Sequence, residues 1–217
     1  MTPEPAQLSQ GRVWRDRLGR DVVLAAVTRE GEEARLLTAW TRQPSAARPL
    51  LLIVPRHPQR FDEVATLVRA AGLSLARRST WAETPPADAL SADVWLGDSM
   101  REMALYYAVA QVALLGGSFE PLGGQNLIEA AACGCPVVMG PHTYNFAEAA
   151  ELALAAGAAL RTTDMDDGVD TALRLLADAP RRAQAAEHAV RFAATHQGAA
   201  RRMGHRVVKL LAATSTR

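Results

Sequence analysis

The sequence predicts an α/β protein, a doubly wound parallel sheet with C-terminal helices, on three observations. Short apolar runs alternate with helical patterns from residue 21 to about residue 163. The runs lack the polar alternation of a half-exposed strand, so each is expected to be buried on both faces. Glycine, proline and basic residues then collect directly after run after run.

Taken in order, residues 1–20 are polar, end in RDRLGR, and are read as an irregular lead-in. The domain is expected over 21–217. DVVLAAVT (21–28) is a strand, and GEEARLLTAWTRQ (31–43) follows as a helix. LLLIVPR (50–56) is a strand continuous in apolar residues. In HPQRFDEVATLVRAAG (57–72), Phe61, Val64, Ala65 and Val68 share one helical face, and Gly72 is the stop. LSLARRS (73–79) is a third strand, and TWAETPPADALSA (80–92) a surface loop. DVWLGDS (93–99) is a strand, and MREMALYYAVA (100–110) a helix with Met100, Met103, Ala104 and Tyr107 on one face. VALLGG (112–117) and PVVMGP (136–141) are strands, with a helix over Gln125–Cys133 between them. FAEAAELALAAG (146–157) is a helix and AALRT (158–162) a short last strand. Beyond Asp164 the chain is helical, with a break at Pro180. The count comes to a sheet of about six strands.

Composition narrows the function. Apolar residues are 49% and charged residues 22% of the 217, ordinary for a soluble globular protein. A net charge of +1 argues against nucleic acid as a partner. No span approaches the ~20 apolar residues of a membrane helix, and MTPEPAQLSQ lacks the parts of a signal peptide. A soluble, cytoplasmic chain is the expectation. Cys133 and Cys135, one residue apart, suit neither a disulfide nor a zinc site and are read as two small buried thiols at a helix end. No metal and no cofactor are expected.

In a doubly wound sheet, ligands sit outside the carboxyl ends of the strands, where strand order reverses. Five polar, glycine-rich loops fall there: Thr28–Gly31, Pro55–Pro58, Gly97–Ser99, Gly116–Ser118 and Gly140–His142. Gly116 and Gly117 would let backbone approach a ligand, and Ser118 adds a hydroxyl. Gly123-Gly124 lead into the expected helix from Gln125, whose first N–H groups would receive a phosphate or carboxylate. Asn126 would cap that helix or bond an anion. Glu129, one turn in, would accept the hydroxyls of a ribose. Neither G-x-G-x-x-G nor a P-loop is present, so the pattern is that of a nucleotide sugar rather than a dinucleotide.

These residues resemble a known family. Gly116-Gly117-Ser118-Phe119, Gly123-Gly124-Gln125-Asn126, Glu129 and PVVMGPHTYNF (136–146) are similar to the donor-binding half of 3-deoxy-D-manno-octulosonic acid (Kdo) transferases. PRHPQRF (55–61), GDSMREM (97–103) and VTREGEE (27–33) extend the resemblance over residues 12–211. It implies one Rossmann-like half of the two-domain GT-B arrangement, and transfer of Kdo from CMP-Kdo to lipid A precursor without an active-site metal. It places donor binding at Arg56, His57, Gly97, Ser99, Met100, Glu102, Gly116, Gly117, Ser118, Gly124, Gln125, Asn126 and Glu129. The acceptor site and catalytic base would lie in an N-terminal domain, absent here or supplied separately. The full enzyme would work at the cytoplasmic face of the inner membrane, and this chain alone would bind donor without transferring it. The other readings are a non-catalytic nucleotide- or partner-binding module and a related nucleotide-sugar enzyme. Three positions depart from the family's pattern: Arg29 in place of its histidine, Arg101 in place of glycine, and Gln125 in place of histidine.

Overall fold

The computed structural model describes residues 2–44 and 48–214, with side chains described to residue 196. Seven parallel strands form one sheet: β1 (Val22–Thr28), β2 (Leu50–Pro55), β3 (Leu75–Arg77), β4 (Val94–Leu96), β5 (Val112–Leu115), β6 (Val137–Met139) and β7 (Ala159–Arg161). Their order is β3-β4-β2-β1-β5-β6-β7. The helices are α1 (Pro5–Leu18), α2 (Glu32–Thr41), α3 (Phe61–Ala70), α4 (Ala87–Ser91), α5 (Met103–Val109), α6 (Ile128–Ala132), α7 (Ala147–Ala155), α8 (Met165–Ala177) and α9 (Ala179–Thr214).

Every strand pairing is parallel, so each strand-to-strand connection must cross a face of the sheet. The period of two in β1 sends Val22, Leu24 and Ala26 to one face and Val23 and Ala25 to the other. The first face is covered by α1, α4, α5, α6, α7 and α9, the second by α2, α3 and α8. From β1 the chain passes to β2, then to β3 at the edge and back to β4 between them, and returns to lay β5, β6 and β7 on the other side of β1. The reversal lies between β1 and β5, which is where a doubly wound sheet opens a binding crevice.

Several boundaries differ from the sequence reading, each for a physical reason. The sheet has seven strands. Residues 5–18 are a helix rather than a lead-in, started by Pro5 and stopped by Gly19 in the left-handed conformation. α1 buries only Gly11, Trp14 and Leu18. Gly11 matters because a Cβ there would stand 2.5 Å from the Leu105 carbonyl oxygen of α5, so its absence lets the two helices touch. Trp14 then joins Trp81 and Trp95 in an edge-to-face cluster with centroids 5.1–6.1 Å apart. The loop 80–92 holds the short α4, whose Ala89 carbonyl accepts the Trp95 indole N–H at 2.7 Å. The helix expected over 125–133 is only α6, because Gln125 and Asn126 lie outside it and Leu127 is its N-cap. Near the C-terminus the break is at Asp178; Pro180 sits in the first turn of α9, where its missing N–H has no helical partner to lose. α9 continues as one helix to Thr214, and residues 215–217 lie outside the described residues.

Candidate functional site

The carboxyl ends of β1, β2, β4 and β5 meet at the reversal point and form a crest of polar loops. At the end of β1 the register with β2 shifts between Ala26 and Thr28. The extra residue, Val27, has φ 53°, a left-handed conformation that a β-branched side chain adopts only under constraint. Gly116, at the end of β5, lies against this bulge: a Cβ on it would collide with the Val27 carbonyl and the Thr28 Cα. Gly116 is therefore glycine so that β1 and β5 can close on each other, not so that a ligand can reach it.

Two carboxylates at the start of α2 hold the crest from below. Glu32 is wholly buried, and its Oε2 accepts N–H groups of Arg29 at 2.8 Å and Gly117 at 2.7 Å. Its Oε1 accepts the N–H of Phe119 at 3.1 Å. One side chain thus ties the β1 loop to the β5 loop. Burial raises the Glu32 pKa above the ordinary carboxylate value, against the opposing pull of these three N–H groups. Glu33, also wholly buried, accepts the Thr28 hydroxyl at 2.8 Å and Nη1 of Arg60 at 2.7 Å and 2.9 Å. Arg60 reaches on to Glu63 at 2.8 Å.

The β4 loop is fixed in the same manner. Asp98, nearly buried, accepts Nε of Arg77 at 2.6 Å and both the N–H and hydroxyl of Ser79 at 2.8 Å and 2.6 Å. Glu102 accepts Nη2 of Arg78 at 2.8 Å, the Tyr106 hydroxyl at 3.2 Å and the Ser99 hydroxyl. Arg78 in turn lies over the Trp14 ring at 5.1 Å and donates to the Trp81 carbonyl at 2.7 Å, so the tryptophan cluster braces the loop. Above this frame Met100 is 62% exposed. Arg101, exposed beside it, has φ 65°, a conformation that suits glycine.

Beyond β5, Gly117 has φ 69°, and its carbonyl accepts the N–H of Gly124 at 2.7 Å, folding the chain back on itself. Asn126, one residue before the N-cap Leu127 of α6, accepts the Ile128 N–H at 3.0 Å in an Asx turn. Tyr144 and Asn145 hold the 121–123 turn from the other side, through the carbonyls of Pro121 at 2.7 Å and Leu122 at 3.2 Å.

The structure sorts the thirteen expected site residues (Arg56, His57, Gly97, Ser99, Met100, Glu102, Gly116, Gly117, Ser118, Gly124, Gln125, Asn126 and Glu129) into two groups. Arg56, Met100 and Asn126 are exposed on or beside the crest, with His57, Gln125 and Glu129 half-buried. The other seven are built into its support, Gly117 and Gly124 through the hydrogen bond between them. Ser118 is wholly buried, its hydroxyl donating to the Leu115 carbonyl while accepting the Gly140 N–H at 2.9 Å, so it is not turned to a ligand. Gly97 packs under Val54 and Tyr106, and Gly116 under Val27. Ser99 and Glu102 bind each other and Tyr106.

Backbone donors are also fewer than a phosphate cradle from Gly116 to Gly124 would need. The N–H groups of Gly116, Gly117, Phe119 and Gly124 are all bonded internally. Because α6 starts at Ile128, the expected helix terminus at Gln125 does not exist. The Glu129 carboxylate makes no hydrogen bond among the described residues, and burial raises its pKa. No group of three or more potential metal ligands stands together among the described residues.

Glu32, Glu33 and Arg60 are the residues that site reasoning passed over. Their signal is periodicity: Glu32, Glu33, Leu36, Leu37 and Trp40 all fall on the buried face of α2. Acids on an apolar helix stripe at a strand end mark buried, partnered carboxylates.

No family model matches the chain. A 3-deoxy-D-manno-octulosonic acid transferase of Bordetella pertussis is 51% identical over 201 residues, 91% of this chain and 46% of that protein. The transferase of Haemophilus influenzae is 37% identical over 159 residues, 72% of this chain and 36% of its own length. The chain therefore spans less than half the length of these relatives. Among solved structures, the C-terminal CMP-Kdo binding domain of WaaA from Acinetobacter baumannii superposes with a TM-score of 0.80 at 32% identity, covering 87% of this chain and 98% of that one. The sheet is thus of the kind that forms the C-terminal domain of GT-B glycosyltransferases.

Proposed function

The chain belongs to the 3-deoxy-D-manno-octulosonic acid transferase family, and from that premise we propose that it binds CMP-Kdo at the crest as the donor-holding part of a glycosyltransferase of lipopolysaccharide synthesis. The observation that carries this reading is the match, along nearly the whole of its length, to a domain described as CMP-Kdo binding. Three guanidiniums at the crest, Arg29, Arg56 and Arg101, have no carboxylate partner among the described residues and are available to anions.

In this reading Arg56 takes a phosphate oxygen pair with its planar fork. Glu129, unpartnered and half-buried, takes the ribose hydroxyls. Met100 covers the nucleotide from the β4 side. Transfer is a displacement at the anomeric carbon, and this chain's part is to hold CMP and stabilise it as it leaves. This reading assigns the acceptor, a lipid A precursor at the inner-membrane face, and the base that activates it to the part of the relatives' length that the chain does not span. No helix among the described residues is long and apolar enough to cross a membrane.

Isothermal titration with CMP, UDP and ADP tests the proposal. CMP should bind most tightly, and at a hundred times its Kd it should raise unfolding free energy by about 2.7 kcal/mol. Preference for UDP would reassign the donor. Binding of none of the three would leave a partner-binding module as the reading.

A further inference from the structure

The span between β4 and α5 is pinned at both ends and loose in the middle. Ser99 and Glu102 bind each other and Tyr106, and Glu102 also accepts Nη2 of Arg78 at 2.8 Å. Between them stand Met100, 62% exposed, and Arg101, with φ 65°. A residue with a side chain stays in that left-handed region only where its surroundings hold it. Among the described residues the Met100–Arg101 pair makes one hydrogen bond. Nε2 of Gln7, 94 residues away on α1, donates to the Arg101 carbonyl at 2.7 Å.

α1 is fastened firmly enough to serve as a fixed post. Gly11 lets its backbone touch α5. Gln10 Nε2 and Trp14 Nε1 both donate to the Glu83 carbonyl, at 3.0 Å and 2.8 Å. The Gln7 amide is itself fixed, because its second hydrogen goes to Oε2 of Glu4 at 3.1 Å. A glutamine in the third position of a helix can turn back to the N-cap N–H and serve the helix. Gln7 holds that position in α1, yet its amide reaches across to the β4 loop. We infer that Gln7 is a positioning residue of the donor site. By holding the Arg101 carbonyl it keeps the Met100–Arg101 pair in the backbone conformation that presents Met100 to the nucleotide. The inference rests on the proposed donor site and adds a residue outside the crest on which that site depends. A loop in its binding conformation only part of the time weakens apparent affinity by that fraction, so losing the hold weakens binding without removing any contact to the ligand.

Titration of the 217-residue chain with CMP, as wild type, Gln7→Met, Arg101→Gly and the double variant, tests the inference. Gln7→Met keeps the length, neutrality and helix preference of the side chain and removes the amide. It should weaken CMP by about fivefold. Glycine at 101 takes the left-handed conformation without being held. Gln7→Met added to Arg101→Gly should therefore change affinity by no more than about twofold, whatever Arg101→Gly does on its own. A general support of α1 would weaken both backgrounds alike, so equal losses overturn the inference. No loss in the wild-type background overturns it too. So does an Arg101→Gly chain that binds no CMP at all, since the guanidinium and not the loop's conformation would then decide binding. Thermal melts followed by circular dichroism report whether each variant is folded, and Gln7→Asn, too short to reach the carbonyl, must repeat the pattern should Gln7→Met unfold. A wild-type chain that binds no CMP removes the donor site and the inference together. Wild-type binding that Gln7→Met leaves unchanged removes the inference alone.

Discussion

Two tiers of arginine lie at the same edge of the sheet. In the lower tier Arg60 meets Glu33 and Glu63, Arg77 meets Asp98 and Asp62, and Arg78 meets Glu102, all between 2.6 and 2.8 Å. In the upper tier Arg29, Arg56 and Arg101 meet no carboxylate among the described residues. The residue type is the same, and the difference is what each guanidinium has already been given to bind. A fork whose donors are filled by protein oxygens is a strut, and one whose donors are empty is an anion receptor. The comparison also explains why the upper tier can hold its place. Its loops are anchored by Glu32, Glu33, Asp98 and Glu102, so the free arginines rise from backbone that is itself fixed.

The comparison is broken most severely at Arg60. Its side chain is 10% exposed and that of Glu33 is 1% exposed. Arg60→Ala would leave Glu33 buried with only the Thr28 hydroxyl as donor. Removing one member of a buried pair costs about 3–5 kcal/mol, and the urea midpoint should fall accordingly. A loss under ~1 kcal/mol, the scale of an exposed pair, would remove Arg60 from the lower tier.

Glu32 comes next. Glu32→Ala orphans the buried N–H groups of Gly117 and Phe119 and the part-buried one of Arg29, at about 1–3 kcal/mol for an unsatisfied group, and should loosen the Gly117 loop together with the β1 end. Glu32→Gln isolates the charge. Because burial raises the folded pKa, the folded state holds the proton more tightly than the unfolded chain. That contribution is fully present below the ordinary carboxylate pKa and is lost as pH rises through the raised one. The stability of wild type relative to Glu32→Gln should therefore fall with rising pH across that window and run level above it. A difference that rises with pH would mean that the three N–H groups outweigh burial.

Arg56 tests the upper tier. Arg56→Ala removes an exposed side chain with no partner among the described residues, so stability should stay within about 0.5 kcal/mol of wild type. CMP affinity should nevertheless fall by about tenfold. Loss of stability without loss of affinity would reverse its assignment.

The strands were legible in the sequence because burial on both faces writes an unbroken apolar run, as in Leu50–Val54. That candidate residues gather at the carboxyl edge followed from their alternation with helices, whereas the reversal between β1 and β5 did not. α1 was not legible, because its docking depends on a glycine that admits the Leu105 backbone rather than on an apolar stripe. The division of the site residues was not legible either. Ser118 and Gln125 are both small or medium polar residues in one glycine-rich loop, yet one is buried on Leu115 and Gly140 while the other stays half-buried. That distinction depends on which strands lie side by side and how closely they approach, and β1 meets β5 across some 90 residues of chain.

Arg101 offers the smallest and sharpest test of the upper tier. Its φ of 65° costs a side-chain-bearing residue about 1–2 kcal/mol. Glycine there would avoid that cost and lose about 0.5–1 kcal/mol to the greater freedom of the unfolded chain. The carbonyl that accepts Gln7 Nε2 at 2.7 Å belongs to the backbone and survives the change. Arg101→Gly should therefore raise stability by about 0.5 kcal/mol, read as a higher denaturant midpoint at unchanged slope. If the guanidinium serves the donor, CMP affinity falls in the same protein that became more stable, and the strained backbone is retained for binding. Greater stability with undiminished affinity would take Arg101 out of the upper tier and leave Arg29 and Arg56 to hold the donor's charge.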